Sequence, residues 1–456
     1  MDRKELYEKI PTFAKKIMFY IPKSFLFGMD YYEYLKLIKK TERYTDSQIT
    51  EYQTKKLREI AAEAYNYTDF WPEIFDKYSI NPSNITLEDL KRLPTIDSSV
   101  VKANYKKMVS KRYLKKGYWV TTGGTGRNPT PIFLSNESFA IEWAFMYDQW
   151  QRIGFDWKLK KVTFRGKNLG DRLTEIVYPY NELLVNIFKL DDENIKPIVK
   201  NILDFKASFF HGYLSAIYIF TKKLEKLEID GSKFKLKGIL LGSENIDETK
   251  RNYLEEFYNC RAYSWYGHTE KGILAGECEK SRLYHAFFQY GYFMFLDKEG
   301  YNEEKGEIVT TGFINKAMPL INYKTGDYGE LSNDKCSCGR NYKLLKNVKG
   351  RWGVDFIYDK NLNKIPTTAV NMHIKEQNYI LNLQLYQEKP GEVEVHFSVV
   401  NDEYAGLVKA SLENELKSKL GKNFIIKVLH VDDKDIFRTK SGKIPFLVQE
   451  IRDVES

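Results

Sequence analysis

A loop of glycines, threonines and one arginine is the first candidate for ligand binding in this chain. It follows KGYWV, a predicted strand, and consists of Thr121, Thr122, Gly123, Gly124, Thr125, Gly126 and Arg127. Glycines let a backbone approach a ligand closely, while hydroxyls and a cation offer hydrogen bonds and charge, so the loop predicts an anion-binding turn. It is not a Walker loop, which needs Lys and then Ser or Thr after its last glycine. Nor is it a dinucleotide fingerprint, because Pro129 stands where the third glycine belongs. Alone, such a loop is also typical of an ordinary surface turn.

The stretch YGHTE, residues 266–270, follows a second predicted strand. Tyr266 is suited to lie against a base and Thr269 to bond a phosphate. Glu270 is suited to hold Mg²⁺, which prefers carboxylate and phosphate oxygens. The alternative is a polar strand-to-helix turn in which Glu270 is solvated.

Three further residues lie in loops that a ligand could reach. Asp327 lies in the turn of YKTGDYGEL, where a carboxylate can accept both hydroxyls of a ribose. Arg351 lies in KGRWG, close to an apparent domain boundary, and Lys443 lies on the glycine-containing loop TKSGKIP. Alone, each of them is typical of a turn or of a solvated surface.

The cysteines predict a metal site. Cys278 and His285 lie in ECEKSRLYH, and Cys336 and Cys338 lie in CSCGR. Together they would supply four ligands for a tetrahedral Zn²⁺ ion, although C-x-C is not the usual C-x-x-C spacing. The alternative is ordinary reduced thiols and a surface histidine. Four cysteines are too few for a disulfide framework in so long a chain, which agrees with a reducing compartment.

The elements that must position these residues alternate between apolar strands and helices from about residue 161 to residue 267. This alternation predicts a parallel α/β sheet with its ligands at the carboxyl ends of the strands. After Ala286, closely spaced strands and turns predict an antiparallel or barrel-like subdomain. From about Lys349 onward, a periodic helix between strands predicts a separate α+β unit. Because 456 residues exceed what one core normally serves, we expect two domains, residues 1–348 and 349–456.

Composition and charge exclude some classes of protein. The net charge is +9, but basic and acidic residues are interleaved, which indicates a solvated surface with a modest preference for anions. Without a basic stripe or a recognisable module, we expect no nucleic-acid partner. The chain shows no signal peptide and no window of about 20 apolar residues, so we predict a cytoplasmic protein. Residues 9–35 mix basic and aromatic side chains. They predict a helix or hairpin packed on the main domain, with peripheral contact at the inner face of the membrane as the alternative.

Taken together and in this order, the Gly/Thr loop, Y-G-x-T-E, T-G-D, G-R and the late S-G-K resemble the adenylate-forming superfamily of acyl-CoA synthetases. The similarity is greatest to its phenylacetate–CoA ligase-like branch, which includes capsule-biosynthesis homologues. It extends over nearly the whole chain and includes LREIAAEAYNYTDFWPEIF and the strand end LLGSE. The resemblance implies a large N-terminal adenylation domain of parallel sheets, helices and a small β-barrel-like subdomain. It also implies a small, mobile α+β C-terminal domain.

The resemblance further implies roles for the motif residues. Residues 121–127 would cradle the phosphates of ATP, with Arg127 and Asn128 where Lys-Pro is common in the family. Thr269 and Glu270 would serve phosphate and Mg²⁺, and Lys443 would stabilise the pentacoordinate α-phosphate. The remaining nucleotide contacts would be Ser243, Glu244, Tyr266 and Gly267 at the adenine pocket, and Asp327 and Arg351 at the ribose. Some members of this branch carry a structural zinc at positions that match the Cys/His set.

The activity implied is ATP-dependent adenylation of a carboxylic acid with release of pyrophosphate, followed by transfer of the acyl group to the thiol of CoA. One alternative is an amide ligase that joins an amino acid or acyl group to an amine or sugar in surface polysaccharide biosynthesis. Another is a non-catalytic nucleotide-binding homologue. A homodimer is a further expectation from the resemblance. The acyl pocket would be lined by residues between about Phe139 and Tyr266, with His211 and His268 as candidates to shape it.

Overall fold

The computed structural model describes residues 10–17, 20, 26–122, 130–167, 169–350, 356–366, 374–420, 424–439 and 442–451. Part of the predicted phosphate loop and one predicted ribose contact therefore lie outside the described residues: Gly123, Gly124, Thr125, Gly126, Arg127 and Arg351. The helices of the described part are α1 (Thr12–Ile17), α2 (Met29–Thr41), α3 (Asp46–Tyr67), α4 (Trp71–Lys77), α5 (Ser98–Asn104), α6 (Asn136–Gln151), α7 (Asp192–Phe205), α8 (Leu214–Lys226), α9 (Glu248–Tyr258) and α10 (Ala405–Leu420). Its strands are β1 (Gly117–Thr121), β2 (Pro131–Ser135), β3 (Lys161–Arg165), β4 (Thr174–Val177), β5 (Glu182–Asn186), β6 (Phe209–Gly212), β7 (Gly238–Gly242), β8 (Ala262–Gly267), β9 (Leu274–Gly276), β10 (Tyr284–Ala286), β11 (Gly291–Leu296), β12 (Tyr301–Asn302), β13 (Lys305–Gly312), β14 (Tyr323–Leu331), β15 (Lys343–Lys349), β16 (Phe356–Tyr358), β17 (Lys364–Pro366), β18 (Ile380–Gln387), β19 (Glu392–Val399), β20 (Ile425–His430) and β21 (Leu447–Gln449).

One large sheet forms the body of the described structure. Its strands are ordered β12-β11-β13-β14-β15-β10-β9-β8-β7-β6-β3-β5-β4. Within it, β5, β3, β6, β7 and β8 are parallel neighbours, so their carboxyl ends meet at one edge. This confirms the parallel α/β sheet expected from the sequence. That edge is where such sheets bind ligands.

The parallel strands are mostly apolar because helices cover both faces of the sheet. Phe210 packs with α7, α8 and α9, whereas its neighbour Phe209 points to the other face and packs with α2 and α6. The helices show the matching pattern. In α7, Ile195, Ile198 and Ile202 are buried at spacings of three and four residues, which places them on one side of the helix.

The closely spaced strands that follow residue 286 are antiparallel, as predicted. They are hydrogen-bonded to the parallel half through β8, β9 and β10, so both halves belong to one continuous sheet. This connection brings β14 and the β14–β15 loop to the neighbourhood of β8 to β10.

The last part of the chain forms a second sheet in the order β20-β19-β18-β21. Helix α10 packs on it through Val408, Leu412 and Leu416, which recur every fourth residue on one side of the helix. This confirms the predicted α+β unit. The loop that carries Lys443 lies immediately before β21.

Helix α2, which precedes residue 42, is packed on α6 and on the main sheet. Tyr31 of α2 is buried, and Trp157 Nε1 donates a hydrogen bond to its hydroxyl at 2.9 Å. Among the described helices, none combines the length and the apolar character that crossing a bilayer requires.

Candidate active site

A cleft of about 1240 Å³ lies at the carboxyl ends of the parallel strands. Strands β3, β6, β7 and β8 each end at it, and helix α6, strand β14 and the loop before β21 form further walls. Among the predicted site residues, those that line the cleft are Thr122, Ser243, Glu244, Tyr266, Gly267, Thr269, Glu270, Asp327 and Lys443. Thr121 is the exposed last residue of β1, one position before Thr122. The fold therefore brings motifs from distant parts of the sequence to one cavity.

Tyr266 and Asp327 form a direct contact inside the cleft. The Tyr266 hydroxyl donates a hydrogen bond to Asp327 Oδ2 at 2.8 Å, and the Asp327 backbone N–H donates to Thr325 Oγ1 at 3.1 Å. Burial raises the pKa of Tyr266 well above its usual value, and the nearby Asp327 charge raises it further. The phenol therefore stays protonated and remains a donor, which holds the Asp327 carboxylate in one orientation.

Glu270 is held by two ring side chains. His268 Nδ1 lies 3.1 Å from Glu270 Oε2, and the Tyr323 hydroxyl donates to Glu270 Oε1 at 2.9 Å. Burial raises the pKa of Glu270, but the hydrogen bond and charge of His268, with the hydrogen bond from Tyr323, outweigh burial and bring it below 4.5. Glu270 is thus an ionised, oriented carboxylate at neutral pH, which is the oxygen ligand that Mg²⁺ prefers.

Glu244 is fixed at the first turn of α8. It accepts hydrogen bonds from the Ser215 backbone N–H at 3.0 Å and from Ser215 Oγ at 2.8 Å. Burial raises the pKa of Glu244, while these hydrogen bonds and the positive charge of Lys443 oppose the rise. Ser243 precedes it with a left-handed φ of 67° and accepts a hydrogen bond from Arg165 Nη2 at 3.0 Å. The backbone at the end of β7 is therefore held by side-chain contacts on both sides.

Lys443 reaches the cleft from a tight loop of the C-terminal sheet. The Thr439 backbone N–H donates to Lys443 O at 2.9 Å, and the Lys443 backbone N–H donates to Thr439 Oγ1 at 3.1 Å. Lys443 Nζ lies 5.9 Å from the centre of the Tyr213 ring. The preceding Gly442 has a φ of 77°, and a Cβ there would lie 2.6 Å from Ile187 Cδ1. The positive φ and the close packing on the end of the main sheet both favour glycine at this position.

Another part of the cleft, its aromatic end, is lined by large rings. Trp143, Trp150 and Trp265 line it, and the Trp150 ring lies 5.0 Å from the ring of His211. His211 is buried, with Nδ1 3.4 Å from Thr163 Oγ1. Burial, followed by the charges of Arg165 and Lys161, lowers the pKa of His211 well below its usual value, so the ring is neutral at neutral pH.

The predicted zinc ligands also come together, away from this cleft. Ligand atoms of Cys278, His285, Cys336 and Cys338 all lie within 4.8 Å of one another. Cys278 follows β9, His285 lies on β10, and the two other cysteines lie in the β14–β15 loop, which the β10–β15 pairing brings close. The His285 Nδ1 is 3.1 Å from Leu283 O, and its Nε2 is 3.4 Å from Cys338 Sγ. One ring nitrogen is thus hydrogen-bonded to backbone while the other faces the thiols, which is the arrangement a zinc-binding histidine needs.

Several charged residues that line the cleft were not among the predicted site residues, and Arg165, Glu142 and Lys271 are three of them. Arg165 is the last residue of β3, and the rule that ligands gather at strand ends would have found it. Glu142 and Lys271 form an ion pair at the aromatic end. Glu142 is the single charged residue in the otherwise apolar stretch FAIEWAFM. That contrast could have identified it from the sequence as a candidate functional residue.

The chain is similar in sequence to known proteins over most of its length. The chain is 24% identical over 438 residues to protein CapK of Staphylococcus aureus, which covers 92% of this chain and 93% of that protein. It is 20% identical over 354 residues to the phenylacetate–coenzyme A ligase of Thermus thermophilus, covering 75% of this chain and 79% of the ligase. The chain is a homologue of CapK and of the phenylacetate–coenzyme A ligases. The resemblance drawn from the motifs is thereby confirmed. Residues 357–450 match the CapK C-terminal domain family.

The same architecture is found in a solved ligase structure. The 2-hydroxyisobutyryl-CoA ligase, in its postadenylation state with 2-HIB-AMP, superposes with a TM-score of 0.68 at 14% identity. The match covers 90% of this chain and 91% of that one. This confirms the predicted fold class, an α/β body with a C-terminal α+β domain.

Proposed function

We propose that this protein activates a carboxylic acid with ATP and Mg²⁺ and then transfers the acyl group to CoA. The observation that carries the proposal is the meeting of Glu270, Asp327 and Lys443 in one cleft, although they come from three separate parts of the chain. The names of its relatives agree, since several are phenylacetate–coenzyme A ligases and the ligase of similar fold holds an acyl-AMP.

In the first step, a carboxylate oxygen of the acid attacks the α-phosphorus of ATP. The new bond joins that oxygen to phosphorus, and the bond from the α-phosphorus to the bridging oxygen breaks, so pyrophosphate leaves with the electron pair. Lys443 would neutralise the charge that builds up on the α-phosphate, and Asp327 would hold the ribose hydroxyls. Such transfers depend mainly on positioning and on neutralising charge, which is what these groups offer.

Mg²⁺ would be held by Glu270 together with phosphate oxygens, and it would neutralise phosphate charge as pyrophosphate departs. Thr269, beside it on the cleft wall, would donate its hydroxyl to a phosphate oxygen. Ser243, Glu244, Tyr266 and Gly267 would line the adenine pocket. Thr121 and Thr122 would begin the phosphate loop, whose remaining members lie outside the described residues.

In the second step, the sulfur of CoA attacks the carbonyl carbon of the acyl-AMP. A thioester bond forms, the bond from that carbon to the AMP oxygen breaks, and the thiol proton passes to solvent. Lys443 is needed in the first step and not in the second. We therefore infer that residues 349–456 form a unit that moves relative to residues 1–348 between the two steps.

We also propose a structural Zn²⁺ ion bound by Cys278, His285, Cys336 and Cys338. Three thiolates and one imidazole match the donor set of structural zinc sites, and four protein ligands leave no position for a substrate. Bound there, the ion would tie the β9–β10 hairpin to the β14–β15 loop. Peripheral membrane contact and a homodimer are not needed for this function and stay predictions.

The test is pyrophosphate release with ATP and Mg²⁺ over a panel of aryl, fatty, sugar and amino acids, first with hydroxylamine as acceptor. We expect at least one acid to release pyrophosphate in proportion to the hydroxamate formed. CoA and a set of amines then replace hydroxylamine, and we expect the thioester to form fastest. If an amide forms faster than the thioester, the natural acceptor is an amine and not CoA. ATP binding without pyrophosphate release from any acid would contradict the proposal and support a non-catalytic nucleotide-binding protein.

A further inference from the structure

One side of helix α6 forms a wall of the cleft that is apolar except at a single position. Its lining residues are Phe139, Glu142, Trp143, Met146 and Trp150. Spacings of three and four residues place these side chains on one side of the helix. Trp265 of β8 lines the same cleft. A ligand held at this end therefore meets large flat side chains and one carboxylate.

That carboxylate is already paired. Lys271 Nζ donates a hydrogen bond to Glu142 Oε2, and the hydroxyl of the buried Tyr290 donates to Glu142 Oε1 at 3.4 Å. The Lys271 side chain is 9% exposed and that of Glu142 is 21% exposed, and both line the cleft. Lys271 directly follows Glu270, the proposed Mg²⁺ ligand, and both residues line the same cleft.

Packing alone does not account for an ion pair at this position. Taking two charges out of water is costly, and apolar residues of similar volume often replace a buried pair without loss of stability. Trp143, Met146 and Trp265 already form an apolar lining. Apolar residues in place of Glu142 and Lys271 would extend that lining. The pair is explained if a bound molecule carries a polar group into the aromatic end of the cleft.

We propose that Glu142 and Lys271 select an aromatic acid that carries a neutral hydroxyl group on its ring. The ring would pack between the tryptophans. Its hydroxyl would donate to Glu142 and accept from Lys271, because a hydroxyl is both a donor and an acceptor. This substrate class rests on the proposed function for the adenylation step, whereas binding of the acid does not depend on it.

The ion pair between Glu142 and Lys271 also determines which charge the ring substituent can carry. An ammonium or carboxylate group on the ring would have to displace one member of the pair and leave the other charge buried without a partner, which is strongly unfavourable. A neutral hydroxyl adds two hydrogen bonds and leaves the pair intact. Glu142 and Lys271 would therefore reject charged ring substituents as well as favour the hydroxyl.

The experiment measures binding and turnover separately on the full-length protein. Binding is followed by tryptophan fluorescence and calorimetry, and turnover by pyrophosphate release. The ligands are phenylacetate, its ortho-, meta- and para-hydroxy isomers, and two para-substituted analogues bearing an aminomethyl or a carboxyl group. We expect one hydroxy isomer to bind roughly tenfold to a hundredfold more tightly than phenylacetate, as hydrogen bonds to charged groups allow. Both charged analogues should bind more weakly than phenylacetate.

The decisive variant is the double substitution Glu142→Met/Lys271→Met, which removes both charges together and so leaves no buried charge unpaired. It should bind phenylacetate at least as well as the native protein and lose the preference for the hydroxy isomer. Glu137→Gln is the matched control, because Glu137 lies on the same helix and does not line the cleft. It should keep the preference. Thermal unfolding of each variant checks that the fold is retained.

The outcomes separate the two proposals. Hydroxyl-selective binding that disappears in the double variant, without pyrophosphate release from any acid, supports this site and contradicts the adenylation activity. Equal binding of phenylacetate and all hydroxy isomers, tighter binding of a charged analogue, or binding of none of these acids overturns the inference. A preference that survives in the double variant overturns it too.

Discussion

The Tyr266 hydroxyl donates a hydrogen bond to Asp327 Oδ2 across 2.8 Å, and this contact joins the two halves of the main sheet inside the cleft. Tyr266 is the penultimate residue of β8, the parallel strand at the border with the antiparallel half, and Asp327 lies on β14. The bond sets the direction of the carboxylate proposed to hold the ribose. The orientation of Asp327 therefore depends on a residue far away in sequence.

Replacing Tyr266 by Phe should raise the KM for ATP roughly tenfold to a hundredfold, because a hydrogen bond to a charged group is lost while the ring is kept. Steady-state pyrophosphate release over a range of ATP concentrations measures this. The control is Tyr258→Phe, which deletes the buried hydroxyl that lies 2.9 Å from Thr221 Oγ1, away from the cleft. It should lower stability without changing the KM for ATP. Equal KM values for both variants would contradict the assigned role.

Lys443→Ala should lower the rate of pyrophosphate release by about 10²- to 10³-fold, since it removes a charge aimed at the developing negative charge of the transition state. ATP binding, measured by calorimetry, should change much less. Lys434→Ala is the matched control in the same sheet domain, because the Lys434 side chain is 76% exposed. Unchanged pyrophosphate release in the Lys443 variant would contradict its catalytic role.

The loop geometry predicts that Gly442→Ala displaces Lys443. A Cβ would lie 2.6 Å from Ile187 Cδ1 and 3.1 Å from Gly166 Cα, and the φ of 77° is itself unfavourable for alanine. We expect adenylation to fall by up to about 10²-fold, the cost of a small misplacement of a catalytic group. Gly406→Ala in α10 meets open space and should leave the rate unchanged. Native activity in the Gly442 variant would show that the loop need not pack in this way.

Purified native protein should contain one zinc ion per chain if the Cys/His cluster binds the metal as proposed. Cys336→Ser should lower the zinc content and the Tm, and a chelator should lower the Tm of the native protein towards that of the variant. Cys260→Ser is the control, because Cys260 is not part of the cluster. Elemental analysis that finds no stoichiometric zinc in the native protein would contradict the proposed zinc site.

The ion pairs of Asp192 predict a pH-dependent stability. Lys223 Nζ and Lys226 Nζ donate to its carboxylate at 2.6 and 2.8 Å, and these hydrogen bonds lower its pKa from 3.8 to about 2. Because the folded-state pKa is the lower one, the stabilisation is present above pH 3.8 and is lost as the pH falls towards 2.

Asp192→Asn should therefore lower the free energy of unfolding at pH 7, by less than about 1 kcal/mol because the pair is largely exposed. The difference from the native protein should shrink as the pH falls towards 2 and vanish below it. Urea unfolding at several pH values measures it. Glu193→Gln, at the next position of α7, is the control and should show no comparable pH dependence. A difference that grows as the pH falls would contradict the assignment.

The sequence by itself determined the elements and the local motifs. Strands and helices follow from spacing along the chain, because the side chains of one helix or strand face the same side at fixed intervals. Exact boundaries depend on individual capping contacts. Helix α5 begins at Ser98 because the Asp97 side chain accepts hydrogen bonds from the N–H groups of Ser99 and Val100.

The tertiary structure decided which pairwise contacts these residues make. The contacts Tyr266–Asp327 and Glu142–Lys271 and the approach of His285 to Cys338 each join residues that are distant in sequence. They depend on the order of the strands and on the packing of α6, which no local pattern records. The physical reason is that a pairwise contact is set by the sheet register and by helix packing, whereas motif and periodicity describe only neighbours along the chain.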